Sequence, residues 1–121
     1  MARLNPTSAN TMLGSVFTGT QYLALFTTDP GTTGSGSEVT GGSYARQSIT
    51  WAAASGGSQS SSNAQNFTGM PVEASGVPYF GIYSASTGGT YLGGGTVSGV
   101  ASVPSGATVA FASGAVTLSL S

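Results

Sequence analysis

The chain has 121 residues, of which 4% are charged: Arg3 and Arg46 against Asp29, Glu38 and Glu73, with no Lys, His or Cys. An average soluble domain carries roughly 25% charged residues, so a basic nucleic-acid surface, an anionic-membrane surface, a disulfide framework and a thiolate site are excluded as organising principles. The length suits one domain over residues 1–121, an N-terminal arm and helix over 1–19 and a β-sandwich over 20–121.

The surface falls to Ser, Thr, Gly, Asn and Gln. A nearly uncharged surface is a solubility risk for a free monomer, which predicts that part of it is covered in an assembly. No apolar run of signal-peptide length follows Met1–Pro6, and no stretch approaches the ~20 apolar residues of a membrane-spanning helix.

Asn5-Pro6 opens a helix, since Asn is a preferred N-cap and Pro suits the first helical position. Ala9, Met12, Leu13 and Val16 follow at one-face spacing, which predicts a helix over Thr7–Phe17 ending near Gly19. Gln21–Thr27 reads as a strand apolar on both faces. Thr28-Asp29-Pro30-Gly31 is a turn by composition, and Thr32–Gly42 a Gly/Ser/Thr loop carrying Glu38.

Gly41–Trp51 is the most informative stretch. Tyr44, Arg46, Ser48 and Thr50 alternate with Ala45, Gln47, Ile49 and Trp51. This predicts a central strand over Tyr44–Ala53 with Ile49 and Trp51 in the core. Arg46 then stands on the opposite face, where its planar fork can tie down backbone carbonyls or one of the rare carboxylates. Ser55–Ser62 is low-complexity Gly/Ser and reads as an exposed connection.

Asn63–Thr68 is a weaker strand, and Pro78–Ser84 a strong one with Tyr79, Gly81 and Tyr83 on one side and Phe80 and Ile82 on the other. Thr87-Gly88-Gly89-Thr90 signals a primed hairpin turn. Tyr91-Leu92 starts the return strand, Gly93-Gly94-Gly95 inside it suggests a bulge or a close backbone approach, and Thr96–Val103 continues it. Ala107–Ala112 and Ala115–Leu120 are the last two strands, joined at Ser113-Gly114. About seven to eight short strands at near-regular spacing predict an all-β antiparallel sandwich, jelly-roll or immunoglobulin-like, with one short N-terminal helix.

Catalytic readings fare badly. Without His, Cys or Lys, the common general bases and nucleophiles are missing. Asp29, Glu38 and Glu73 lie in turns or loops and read as solvated charges; a Ca²⁺ site on Asp29 and Glu38 lacks the Asp-x-Asp spacing such loops use. No catalytic residue, metal or cofactor is expected. Gly93–Gly95 lacks the order and following helix of a phosphate loop. Tyr44, Tyr79, Tyr83 and Tyr91 offer either a sugar-stacking platform or, more often for such residues, a core edge or subunit interface. Tyr44 and Arg46 are read with Ile49 and Trp51 as core and clamp. The interface candidates are Arg3, Met12, Leu13, Tyr79, Tyr83 and Tyr91.

Three segments together, Tyr22–Gly31, Gly41–Gln47, and Phe80-Gly-Ile-Tyr83 with Thr87–Gly93, resemble a family of small phage virion proteins described as tail fibre or minor tail proteins, and some as head decoration proteins. The likeness runs in order across nearly the whole chain. Members of that family often carry His where Phe26 stands and Asp where Ser84 stands, and both departures remove polar groups. The resemblance implies a non-enzymatic virion component, made in the host cytoplasm and carried on the particle surface, with no established catalytic residues to transfer. The lack of shaft repeats, coiled coil or a separate receptor module favours a head decoration protein within that class. Its partners would be copies of itself, as a trimer, and the major capsid protein. The alternative is a tail fibre or minor tail protein contacting other tail proteins through Thr32–Gly42 and Ser55–Ser62; a further alternative is a carbohydrate-binding module using the tyrosines. Neither nucleic acid nor membrane is expected as a partner.

Overall fold

The computed structural model describes residues 5–97 and 102–119. Arg3, the Met1–Leu4 arm, the middle of the expected Thr96–Val103 strand and Leu120 lie outside the described residues. Among those described, one helix is followed by eight strands: α1 (Pro6–Val16), β1 (Gln21–Phe26), β2 (Gln47–Ile49), β3 (Ser58–Ser60), β4 (Gln65–Phe67), β5 (Tyr79–Tyr83), β6 (Tyr91–Thr96), β7 (Val109–Phe111) and β8 (Thr117–Ser119). All strand pairs are antiparallel. The chain is mostly β with one short helix, as its strand spacing indicates.

A four-stranded sheet runs in the order β2-β1-β5-β6, and two separate ladders, β3-β8 and β4-β7, complete the structure. The last two expected strands therefore do not pair as a hairpin with each other; each returns to a partner far earlier in the chain. Leu23, Leu25, Phe80 and Ile82 from the four-stranded sheet share one core with Phe67, Val109 and Leu118 from the ladders and with Leu13 and Phe17 from the helix end.

The helix begins as its cap dictates. The Asn5 side chain accepts a hydrogen bond from Thr7 N at 2.8 Å, and Pro6 fills the first turn. Its buried stripe, however, is Ala9, Leu13 and Phe17, while Met12 and Val16 are 51% and 44% exposed. Met12 is one residue, about 100° of helix rotation, from Leu13. Once Phe17 enters the core the helix turns Met12 outward. Leu13, offered above as an interface residue, belongs to the protein's own core.

The strand expected over Tyr44–Ala53 shortens to Gln47–Ile49. Ile49 is fully buried, but Trp51 is half-buried at the rim of the core. Its ring meets Phe17 edge-on at 5.5 Å, and its Nε1 donates to the Gln21 side chain at 2.8 Å. The indole N–H needs a partner, and the rim of the core supplies one. Tyr44 precedes the strand, escapes its alternation and stacks on Phe67 at 5.8 Å.

Ser55–Ser62 is not an exposed connection. It contains β3, and its Gln59 and Ser61 are buried. Gln59 Nε2 donates to Phe17 O at 2.9 Å and to Ala52 O at 3.0 Å, tying the helix end to the rim of the core. Ser61 Oγ accepts from Gly114 N at 3.1 Å. Polar side chains replace apolar ones here because each answers a specific backbone group.

Gly88 and Gly89 take the expected positive φ, 61° and 75°, but the two-residue primed turn does not form. The β5–β6 connection is a loop over residues 84–90, closed by Ser84 N donating to Thr90 O at 3.1 Å and Thr90 N to Ser84 Oγ at 2.9 Å. The return strand is bulged between the Ile82 and Tyr83 pairings, at Leu92. Gly94 faces Gly81 across the pair. A side chain on Gly94 would run into the Phe80 carbonyl.

Candidate functional site

β1 is covered on both faces. Leu23 and Leu25 enter the shared core, and Ala24 and Phe26 are buried on the other side. That second cover is the loop after β1, which folds back along it. Thr27 N donates to Ser37 O and Val39 N to Leu25 O, both at 2.9 Å, and Glu38 bridges to Phe26. Val39 is buried. The Gly/Ser/Thr loop is thus held to the sheet at its far end and exposed at Thr32, Thr33 and Ser35.

Arg46 fastens this loop. Its Nε donates to Glu38 Oε2 and its Nη2 to Glu38 Oε1, each at 2.9 Å. Its Nη1 donates to Ala85 O at 3.0 Å and Gly88 O at 2.8 Å. The guanidinium lies 3.8 Å from the centre of the Tyr83 ring, within cation–π range. Glu38 Oε2 also accepts from the Tyr44 hydroxyl at 2.8 Å, and that hydroxyl accepts from Leu25 N at 3.0 Å. Bidentate pairing sets both planes, so one residue joins the Glu38 loop to the β5–β6 turn with fixed geometry.

Glu38 is therefore not the solvated loop charge its position suggests. Its side chain is 24% exposed and that of Arg46 10%. The pairing was open in the sequence because three carboxylates competed for one guanidinium. Asp29 instead accepts from Gly31 N at 2.8 Å and closes its own turn, and the backbone of Glu73 pairs with that of Val103. Only the fold-back of the loop brings Glu38 within reach.

Tyr91 holds the other end of the loop. Its hydroxyl donates to Gly31 O at 3.0 Å. Its ring lies where side chains at Gly34 and Gly81 would sit, 2.8 Å and 3.0 Å from those added carbons. The ring meets Tyr83 edge-on at 5.5 Å, and Tyr83 stacks with Phe26 at 6.3 Å. Tyr44, Tyr83 and Tyr91 thus gather around Arg46 and Glu38. Tyr79 stands at the opposite end of β5, paired with Phe26 and Thr96.

A shallow groove of about 410 Å³ opens beside this cluster, lined by Glu38, Thr40, Tyr44, Arg46, Thr87 and Gly88 among others. Its charged groups are already committed. Both oxygens of Glu38 accept, Nε and both Nη atoms of Arg46 donate, and the Tyr44 hydroxyl does both. What faces outward is a neutral array of Ser and Thr hydroxyls and backbone groups. Among the described residues no three His, Cys, Asp or Glu side chains gather as a metal site, and no helix is long and apolar enough to cross a membrane.

Burial first, and then the charge of Glu38 and the hydrogen bond to it, push the Tyr44 phenol well above the usual tyrosine range. Burial raises Tyr83 and Tyr91 as well. For a group whose folded pKa is raised, the stabilisation is complete below the unfolded value, about 10 for Tyr, and is lost as pH climbs past it. Melting temperature should hold on the alkaline side up to about pH 10 and fall above it, with a shallower fall in Tyr44→Phe. An equal alkaline fall in wild type and variant would show that Tyr44 does not carry it.

Arg46→Met should cost about 1.5–3 kcal/mol, the range for hydrogen bonds to charged groups. A double-mutant cycle with Glu38→Gln in urea titrations should show strong coupling, because each single change strands the partner. Additive losses would remove the clamp from the account.

No curated protein matches the chain at a significant level. Residues 5–119, from the helix N-cap to the last strand, match the model of the family described as Podophage GP4 fiber I protein gp80. The likeness carried by Tyr22–Gly31, Gly41–Gln47 and Phe80–Gly93 is thus a family relationship, and the chain belongs to this family of phage fibre-type virion proteins.

Proposed function

We propose that the protein is a non-catalytic component of a phage tail fibre, working by contact with other virion proteins or with the host surface. The observation that carries this reading is the family match over residues 5–119, whose description is that of a fibre protein. It replaces the head-decoration reading. That reading drew on the absence of shaft repeats in this one chain, and a fibre's shaft can be built from other chains. The three-fold arrangement expected on a capsid came by analogy with the same reading and goes with it.

A structural role fits the chemistry. The Arg46–Glu38 cluster spends its donors and acceptors on holding two loops together, and the loop surfaces it fixes are neutral hydroxyls. Such surfaces are desolvated at lower cost than charged ones when they meet a partner. Gold-labelled antibody against the protein, viewed on intact virions by electron microscopy, should mark the tail fibres. Label confined to the head would overturn the assignment.

A further inference from the structure

We infer that the outer edge of β6 is a self-association surface, on which β6 of a second copy adds as an antiparallel strand. The four-stranded sheet ends in two edge strands, β2 and β6, and they are treated differently. β2 has three residues, and the Asn63 side chain lies along its outer side: Nδ2 donates to Ser48 O at 3.1 Å, and Oδ1 accepts from Thr50 N, just past the strand, at 2.9 Å. A side-chain amide there takes the place of a neighbouring strand.

β6 has six residues. Its inner hydrogen bonds run to β5, with Val97 N donating to Pro78 O at 2.7 Å and Thr96 registered on Tyr79. By antiparallel alternation, Gly93 and Gly95 also turn their N–H and C=O groups towards β5, and Gly94 and Thr96 turn theirs away. Gly94 and Thr96 are the exposed residues of this stretch. Among the described residues no backbone group answers their outer N–H and C=O.

Natural edges are blunted by charges, prolines, bulges or covering side chains. From Tyr91 to Val97 there is no charge and no proline. The bulge lies at Leu92, before the glycine run.

The occupant follows from register and charge. When two copies of β6 run antiparallel about a two-fold axis through Gly95, Gly94 of each copy falls opposite Thr96 of the other. Each such pair can exchange both of its N–H···O bonds. Every Thr96 side chain then meets a glycine, so the strands close without a steric clash. An uncharged edge meets its own copy without repulsion, whereas an acidic or basic partner strand finds no counter-charge there. The arrangement is isologous, as two-fold interfaces require, and it extends one continuous sheet across both copies.

Sedimentation of the purified chain over a concentration series tests this. Wild type should form a dimer. Thr96→Lys, which plants a charge on the edge, should weaken the dimer about tenfold or more, and Thr96→Pro, which deletes an outward N–H at a site where an edge strand tolerates proline, should do the same. Thr32→Lys, with the same added charge on the exposed loop, should leave the dimer intact. A wild type that stays monomeric, a trimer, or a dimer indifferent to both Thr96 changes would overturn the proposal. The readout is independent of where the protein sits on the virion.

Discussion

Phe67→Ala should lower the unfolding free energy by about 3–5 kcal/mol, the cost of emptying a buried aromatic site. Phe67 is fully buried. It stacks under Tyr44 at 5.8 Å and meets Phe111 edge-on at 6.1 Å. It also sits on β4, paired with Val109 of β7. Its loss would leave a cavity between the four-stranded sheet and the β4-β7 ladder. It would also remove the floor on which Tyr44 rests, and with it one of the donors to Glu38. Core truncation and loosening of the Arg46 clamp should therefore appear together. In urea titrations the midpoint should fall, and amide exchange should rise at Glu38 and Val39 beyond the rise expected from global destabilisation alone. A loss below about 1 kcal/mol would mean that the site collapses around the gap.

Gly94→Val should be as damaging, at about 3 kcal/mol or more, the upper end of overpacking costs. A side chain added at Gly94 meets the Phe80 carbonyl first, then the Tyr91 hydroxyl oxygen at 2.7 Å and Gly81 Cα at 3.2 Å. Two of these three neighbours are backbone atoms in a strand pair and cannot move aside without opening the β5–β6 ladder. The third is the residue that holds the Gly31 end of the loop. The expected signature is loss of protection along Tyr91–Thr96 together with Gly31–Ser37. Gly14→Ala is the control. Nothing lies within 4 Å of a side chain added there, and replacing a helical glycine should stabilise by about 0.5–1 kcal/mol. Equal melting temperatures for Gly94→Val and wild type would refute the close approach.

Much of the candidate site was written locally. The Asn5 cap, the positive φ angles of Gly88 and Gly89 and the glycine run of β6 each depend on a few adjacent residues, because caps, positive φ angles and close approaches are constraints on the backbone itself. The alternation around Arg46 pointed to a guanidinium available for backbone carbonyls or a carboxylate. It could not choose the carboxylate. That choice belongs to the loop after β1, which turns back and carries Glu38 to the Phe26 end of the strand.

The sequence by itself determined that the chain is mostly β with one capped helix, that charge has almost no part in its surface, and that it resembles phage virion proteins. Only the tertiary structure decided that the Ser-rich stretch around Gln59 is a strand, that β3 and β4 pair with β8 and β7, and that Met12 faces outward while Leu13 and Phe17 face the core. Ser58 finds its partner at Ser119 and Gln65 at Phe111. Pairings at that separation leave no trace in local periodicity, and a polar strand is recognisable only once the distant carbonyls and amides that satisfy it have been brought alongside.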